Sequence, residues 1–155
     1  MLEKAAENRK VVAPATELTR VFDAPRALVF EAWSKPEHVS KWFAPKPLVI
    51  TQCEMELRSG GVFKFTMKMG ETEFPFVGKF EEVVPNEKIV FSGIIHDDNS
   101  CYTVVTFEDA PGNKTKLSVR QTYAYASPAT GGAKQGWTST LDNLADAVAA
   151  LKQRK

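Results

Sequence analysis

VITQCEMELRSGGVFKFTMKM, residues 49–69, alternates apolar and polar side chains on both sides of a glycine pair. Val49, Thr51, Cys53, Met55 and Leu57 share one parity; Gln52, Glu54 and Glu56 share the other. Beyond Arg58-Ser59-Gly60-Gly61, Phe63, Phe65, Met67 and Met69 alternate with Lys64, Thr66 and Lys68. A period of two is the signature of a strand with one buried face. Glycine supplies the positive φ that a tight turn demands. The stretch therefore predicts a β-hairpin, and its apolar face requires further strands and a cover.

The strands follow downstream. Turn signals recur about every dozen residues, as in antiparallel sheets with short connections. They bound strands at Phe74–Val83, Lys88–Ile95, Tyr102–Glu108 and Lys114–Tyr123. Pro75 inside the first of these points to an edge, a bulge or a late strand start. Strict parity from Phe80 would turn Glu82 inward; a bulge at Glu81-Glu82 would turn Val83 in instead, and is the better expectation. Upstream, Leu18–Phe22 is also β-prone.

The cover comes last. From about Gly131 to Lys152, Trp137, Leu141, Leu144, Val148 and Leu151 recur at spacings of four and three, one face of a long helix. Two short helices, about 25–33 and 36–43, separate the first strand from the hairpin. Asp23-Ala24-Pro25 and Ser34-Lys35-Pro36 each place a capping side chain before proline, and Ser34 with Glu37 fits a capping box. Trp33, Trp42 and Phe43 are expected against the long helix and the mouth of the sheet. The order β-α-α-β6-α predicts an α+β helix-grip fold. A curved antiparallel sheet wraps a long C-terminal helix, and the two short helices close one end. Residues 1–13 are expected as a flexible N-terminal arm and 14–155 as a single domain.

Composition narrows the function classes. The chain of 155 residues has a formal net charge of +1 and is 43% hydrophobic. Neither value favours a polyanionic partner. Lys64, Lys68 and Lys79 share their sheet face with Glu54, Glu56 and Glu81, a solvated surface and not a phosphate track. No apolar run spans a membrane and no secretory signal opens the chain, so a cytoplasmic location is expected. Cys53 and Cys101 form no metal or redox spacing and read as reduced thiols. His38 lies on the polar side of a short helix. His96-Asp97-Asp98 sits in a turn, a weak arrangement for a metal. No motif calls for a cofactor, and Gly60-Gly61 is not a phosphate loop.

FDAPRALVFEAWSKPEHVSKWF, LRSGGVFKF, GKFEEVVPNEKIVFS, VTFED and GWTSTLDNLADAV, in this order, resemble the activator-of-Hsp90-ATPase-homologue-1-like family of the START-like, or SRPBCC, superfamily. The resemblance covers nearly all of residues 16–152. It implies the birch-pollen-allergen type of fold, with a cavity between sheet and long helix used across the superfamily for apolar molecules. The co-chaperones that name the family carry a further N-terminal domain, for which residues 1–13 are too short.

Strand parity offers walls for such a cavity. Inward candidates are Phe63, Phe65, Met67, Phe76, Phe80 and Phe91, then Val105, Phe107, Leu117, Val119 and Tyr123. The long helix adds Trp137, Thr140, Leu141 and Leu144, and the short helices bring Trp33 and Trp42 to the closed end. Thr51, Thr103 and Gln121 are the polar candidates of inward parity. A pocket combines apolar walls with a few placed polar groups; the same residues also make an ordinary packed core. The expected gate is the mobile segment Ala126–Gly132 with the two short helices.

Three functions follow. The first is a binding protein for a small hydrophobic molecule. The second is a protein-interaction module acting on a chaperone-like ATPase of the Hsp90 type. The third and weakest is a cyclase or hydrolase using Tyr123, Gln121, Thr103 or Glu82. An exposed edge, Lys114–Tyr123 or Val49–Leu57, offers a route to a homodimer.

Overall fold

Strands β2 (Val49–Met55) and β3 (Val62–Met69) pair antiparallel, as the alternation requires. The computed structural model describes residues 14–96, 99–126 and 128–154. The arm expected at residues 1–13 lies outside them. Strict alternation fails at one point in β2, where the register shifts between Ile50 and Gln52. This bulge consumes Thr51 and moves Ile50, Cys53 and Met55 to the core side, while Val49 and Thr51 are exposed. A bulge inserts one unpaired residue and resets parity. Met69, at the open end of β3, is also exposed.

Strands β4 (Thr72–Val84), β5 (Lys88–His96), β6 (Asn99–Ala110) and β7 (Lys114–Tyr123) continue the meander. Strand β1 (Thr16–Phe22) joins beyond β7, so the sheet order is β1-β7-β6-β5-β4-β3-β2. Every neighbouring pair is antiparallel. The edges are β1 and β2. Strand β7 is internal, so of the two edges expected only β2 is one; β1 covers the other flank of β7.

The expected bulge in β4 is present, between Phe80 and Glu82. It leaves Glu82 exposed and ion-paired to Lys88 at 3.0 Å, and Val83 packs against the core. Pro75 pairs with Thr66 of β3, whereas pairing with β5 begins only at Val77. The proline thus sits where its missing N–H removes no bond to β5. Gly78 and Gly93 lie opposite one another. A Cβ on Gly78 would stand 1.9 Å from the Ser92 carbonyl oxygen, and one on Gly93 would stand 2.7 Å from the Phe76 ring. The glycine pair lets Phe63 and Phe76 lie directly over the backbone.

Helices α1 (Arg26–Glu31) and α2 (Pro36–Val39) are separated at the expected break, with Pro36 as the first residue of α2. The expected caps do not form. Pro25 and Lys35 occupy the cap positions without side-chain bonds, and Ser34 Oγ donates backward to the Glu31 carbonyl at 2.6 Å. The break folds the second aromatic cluster onto the first. The Trp42 indole N–H donates to the Ala32 carbonyl at 3.0 Å, and the Trp33 and Trp42 rings meet edge-on at 4.7 Å.

A one-turn helix α3 (Pro128–Gly131) precedes the long helix α4 (Ala133–Arg154). The segment Ala126–Gly132, expected as a mobile gate, is helical through Pro128–Gly131, and Ser127 lies outside the described residues. Helix α4 buries Trp137, Thr140, Leu141, Leu144, Val148 and Leu151 against the sheet, the stripe its spacing foretold. Leu141 and Leu144 are fully buried; truncating such a leucine to alanine costs about 2–5 kcal/mol. No helix among the described residues is long and apolar enough to cross a membrane.

Candidate ligand cavity

One end of the layer between α4 and the sheet is not filled. A cavity of about 340 Å³ lies between the first turns of α4, the ends of β3, β4 and β7, and the segment Phe43–Leu48. That segment has no periodicity of its own and is pinned to α4. Asn143 Nδ2 donates to the Ala44 carbonyl at 2.8 Å, and the Lys46 amide donates to Ser139 Oγ at 3.0 Å. Pro45 then rests over Gly136, where a Cβ would stand 3.9 Å from its ring.

The back wall is aromatic. Phe43 lies edge-on to Trp137 at 6.0 Å and stacks on Phe76 at 6.3 Å. Phe91 closes the same side, 6.2 Å from Phe43. Behind Phe43 is a separate void of about 10 Å³, bounded by Trp33, Val39, Met55, Phe65 and Phe80. Phe43 and Phe91 border both spaces and together stand between them.

The polar side of the cavity is one connected chain. The Trp137 indole N–H can only donate, and it donates to Gln121 Oε1 at 3.2 Å. That fixes the orientation of the amide. Tyr123 O–H also donates to Gln121 Oε1, at 2.9 Å, and Gln121 Nε2 donates to Thr103 Oγ1 at 2.7 Å. With the phenolic proton so committed, Thr16 Oγ1 is the donor in its bond to the Tyr123 oxygen. Burial pushes the Tyr123 phenol above its ordinary value, against the opposing bond to Thr16. Burial also lifts the Cys101 thiol, which borders Thr103, to about 11. Among the described residues no charged side chain lines the cavity.

The structure sorts the sequence-derived wall candidates into four groups. Met67, Phe76, Phe91, Gln121, Tyr123 and Trp137 line the cavity. Thr103 stands behind Gln121 as its hydrogen-bond partner. Trp33, Phe65 and Phe80 border only the small inner void. Trp42, Val105, Leu141 and Leu144 are packed core, each at most 1% exposed. Parity tells which face a residue occupies but not whether the helix above it touches it; α4 seals the sheet beyond Thr140. Thr51, considered for inward parity, is exposed by the β2 bulge.

Sequence reasoning missed part of the wall. Phe74 shares parity with Phe76 and was recoverable from it. Pro45 and Leu48 lie in an aperiodic segment, and Gly132, Ala133 and Gly136 contribute by being small. Of the acid–base set considered for an enzyme, Tyr123, Gln121 and Thr103 are joined in the hydrogen-bond chain, whereas Glu82 is outside the cavity with Lys88. Asp97 and Asp98, considered with His96 for a metal, lie outside the described residues.

On the opposite face, a groove of about 640 Å³ crosses β4 to β7 between a row with Val77 and Ile94 and a row with Lys79 and Tyr102. It lies on the sheet surface, whereas the cavity under α4 opens to solvent on the side of Phe74, which is 40% exposed.

Solved structures share this architecture. A protein from Nitrosomonas europaea superposes with a TM-score of 0.77 at 23% identity, over 90% of this chain and 96% of that one. A protein from Chromobacterium violaceum gives 0.77 at 25% identity, over 86% and 96%. An uncharacterized protein from Rhizobium leguminosarum gives 0.67 at 26% identity, over 88% and 97%. The shared fold is the START-like helix grip. No curated protein matches the chain. The family profile described as activator of Hsp90 ATPase homolog 1-like protein matches residues 23–149, which takes in both short helices, β2 to β7 and most of α4, and the chain belongs to that family.

Proposed function

We propose that this protein binds a small apolar molecule in the cavity between α4 and the sheet. The observation that carries the reading is the unfilled space of about 340 Å³, walled by aromatic rings, with Gln121, Tyr123 and Thr140 as its polar groups. An apolar cleft of roughly 300–1,000 Å³ with a few convergent polar groups has the make-up of a ligand site. Met67, Phe76, Phe91, Gln121, Tyr123, Trp137 and Thr140 are the proposed contacts among the wall candidates of the sequence, joined by Phe43.

Native mass spectrometry of protein purified from its own host tests this. A reproducible extra mass of a few hundred daltons, lost on denaturation, is expected. A bare mass together with no binding from a broad panel of lipophiles would contradict it.

A second reading has its own observation. The outer face exposes Val62, Val77, Ile94 and Tyr102, each 47–60% accessible, and the family description names an Hsp90 ATPase activator. An interaction module would use that face. Its test is the ATP turnover of the host's Hsp90-type chaperone with and without this protein. Unchanged turnover counts against it.

A further inference from the structure

Resting on the cavity reading, we infer that the ligand is an uncharged molecule of one or two rings carrying an acceptor oxygen, a ketone, ether or alcohol, anchored by Gln121 and Thr140.

Charge is decided by the wall. Among the described residues it holds no lysine, arginine, histidine, aspartate or glutamate. A charged group drawn in against these walls gives up hydration and finds no counter-charge among them, a net cost. Size is decided by the volume, which lies at the lower end of the range for ligand pockets. A skeleton of one or two rings suits that volume, lying against the wall of Phe76, Phe91 and Trp137.

The anchor follows from the fixed polarity of the hydrogen-bond chain. Gln121 Oε1 already accepts from Trp137 and from Tyr123. The amide therefore offers the cavity no free acceptor; what it retains is the second N–H of Nε2, the first being spent on Thr103. The Tyr123 proton is spent on Gln121. The Thr140 side chain lines the same space from α4 and has no hydrogen-bond partner among the described residues. Gln121 thus supplies a donor, and Thr140 a hydroxyl free to donate. A ligand whose polar end accepts satisfies both. One that can only donate finds the Thr140 oxygen but leaves the second Gln121 N–H without a partner.

The test uses three probes of one ring skeleton, 2-acetonaphthone, naphthalene and 2-naphthoate, titrated into the full chain by ligand-observed NMR at pH 7. The ketone is expected to bind about tenfold tighter than naphthalene, the difference a buried hydrogen bond makes. The carboxylate is expected to bind at least about tenfold more weakly than the ketone. Thr140→Val removes the hydroxyl at nearly constant shape. It should weaken the ketone about fivefold relative to naphthalene. Equal affinity for ketone and naphthalene with no effect of Thr140→Val would overturn the anchor while leaving the cavity reading intact. Tightest binding by the carboxylate would overturn the neutral class. Binding by none of the three would overturn both the inference and the cavity reading.

Discussion

The indole N–H of Trp137 on helix α4 donates to the side-chain oxygen of Gln121 on strand β7 across 3.2 Å, with both residues buried. This bond ties the long helix to the sheet at the cavity and sets the direction of every polar bond around it. Gln121→Leu removes the shared acceptor of Trp137 and Tyr123 and the donor to Thr103. Buried groups left unpaired each cost about 1–3 kcal/mol, less whatever water in the cavity recovers. A loss of about 2 kcal/mol in urea unfolding is expected, with a shift in Trp137 fluorescence. Stability unchanged within about 0.5 kcal/mol would show that the chain is not a structural tie.

Phe43 stands with Phe91 between the cavity and the inner void and touches Phe65, Phe76, Phe91 and Trp137. Phe43→Ala should cost about 3–5 kcal/mol, as for other buried aromatic truncations. It should also merge the two spaces. A ligand longer by one ring is then expected to bind more tightly to the variant than to the parent, relative to a single-ring probe. Identical size preference in both proteins would remove Phe43 from the partition.

The glycine pair in β4 and β5 has no room for a side chain. Gly78→Ala places a methyl group against the Ser92 carbonyl and the Phe63 ring. Overpacking of this kind costs on the order of 3 kcal/mol. Thermal unfolding of the Gly78→Ala variant is the measurement, and a melting temperature equal to the parent's would mean the strands separate there at little cost.

Burial holds the Cys101 thiol protonated up to about 11, from an ordinary value of 9.0. The folded state binds that proton more tightly than the unfolded chain. The stability it contributes is full below pH 9 and is lost as pH rises toward 11. Unfolding free energy is therefore expected to fall across this window, and less steeply in Cys101→Ala. Equal slopes in the two proteins would assign the alkaline loss to other groups.

Much of the fold was legible because it rests on periodicity. The two-residue alternation of Phe63, Phe65 and Met67, and the stripe from Trp137 to Leu151, each name a buried face without reference to anything distant. The Phe80–Glu82 bulge was legible too, since strict parity would have buried a carboxylate. The bulge that exposes Thr51 was not, because no buried charge signalled it. The caps failed for a related reason. Ser34 had two backbone partners within reach, and the local pattern does not say whether its hydroxyl turns forward to α2 or back to Glu31.

The cavity was legible only in its sheet floor. Gln121, Tyr123, Phe76 and Phe91 follow from parity, but the depth at which α4 seals the sheet depends on contacts between distant segments. Pro45 on Gly136 and Asn143 on the Ala44 carbonyl set that depth. Neither pair leaves a mark in the local sequence.

The most direct test of the cavity as a binding site is a ¹H–¹⁵N correlation spectrum of the labelled protein titrated with 2-acetonaphthone. The Trp137 indole N–H and the Gln121 side-chain amide should shift together and saturate, while amides on the outer face, such as Tyr102 and Val77, stay in place. Shifts confined to the outer face, or none at millimolar ligand, would contradict an internal site and return the core aromatics to a purely structural role.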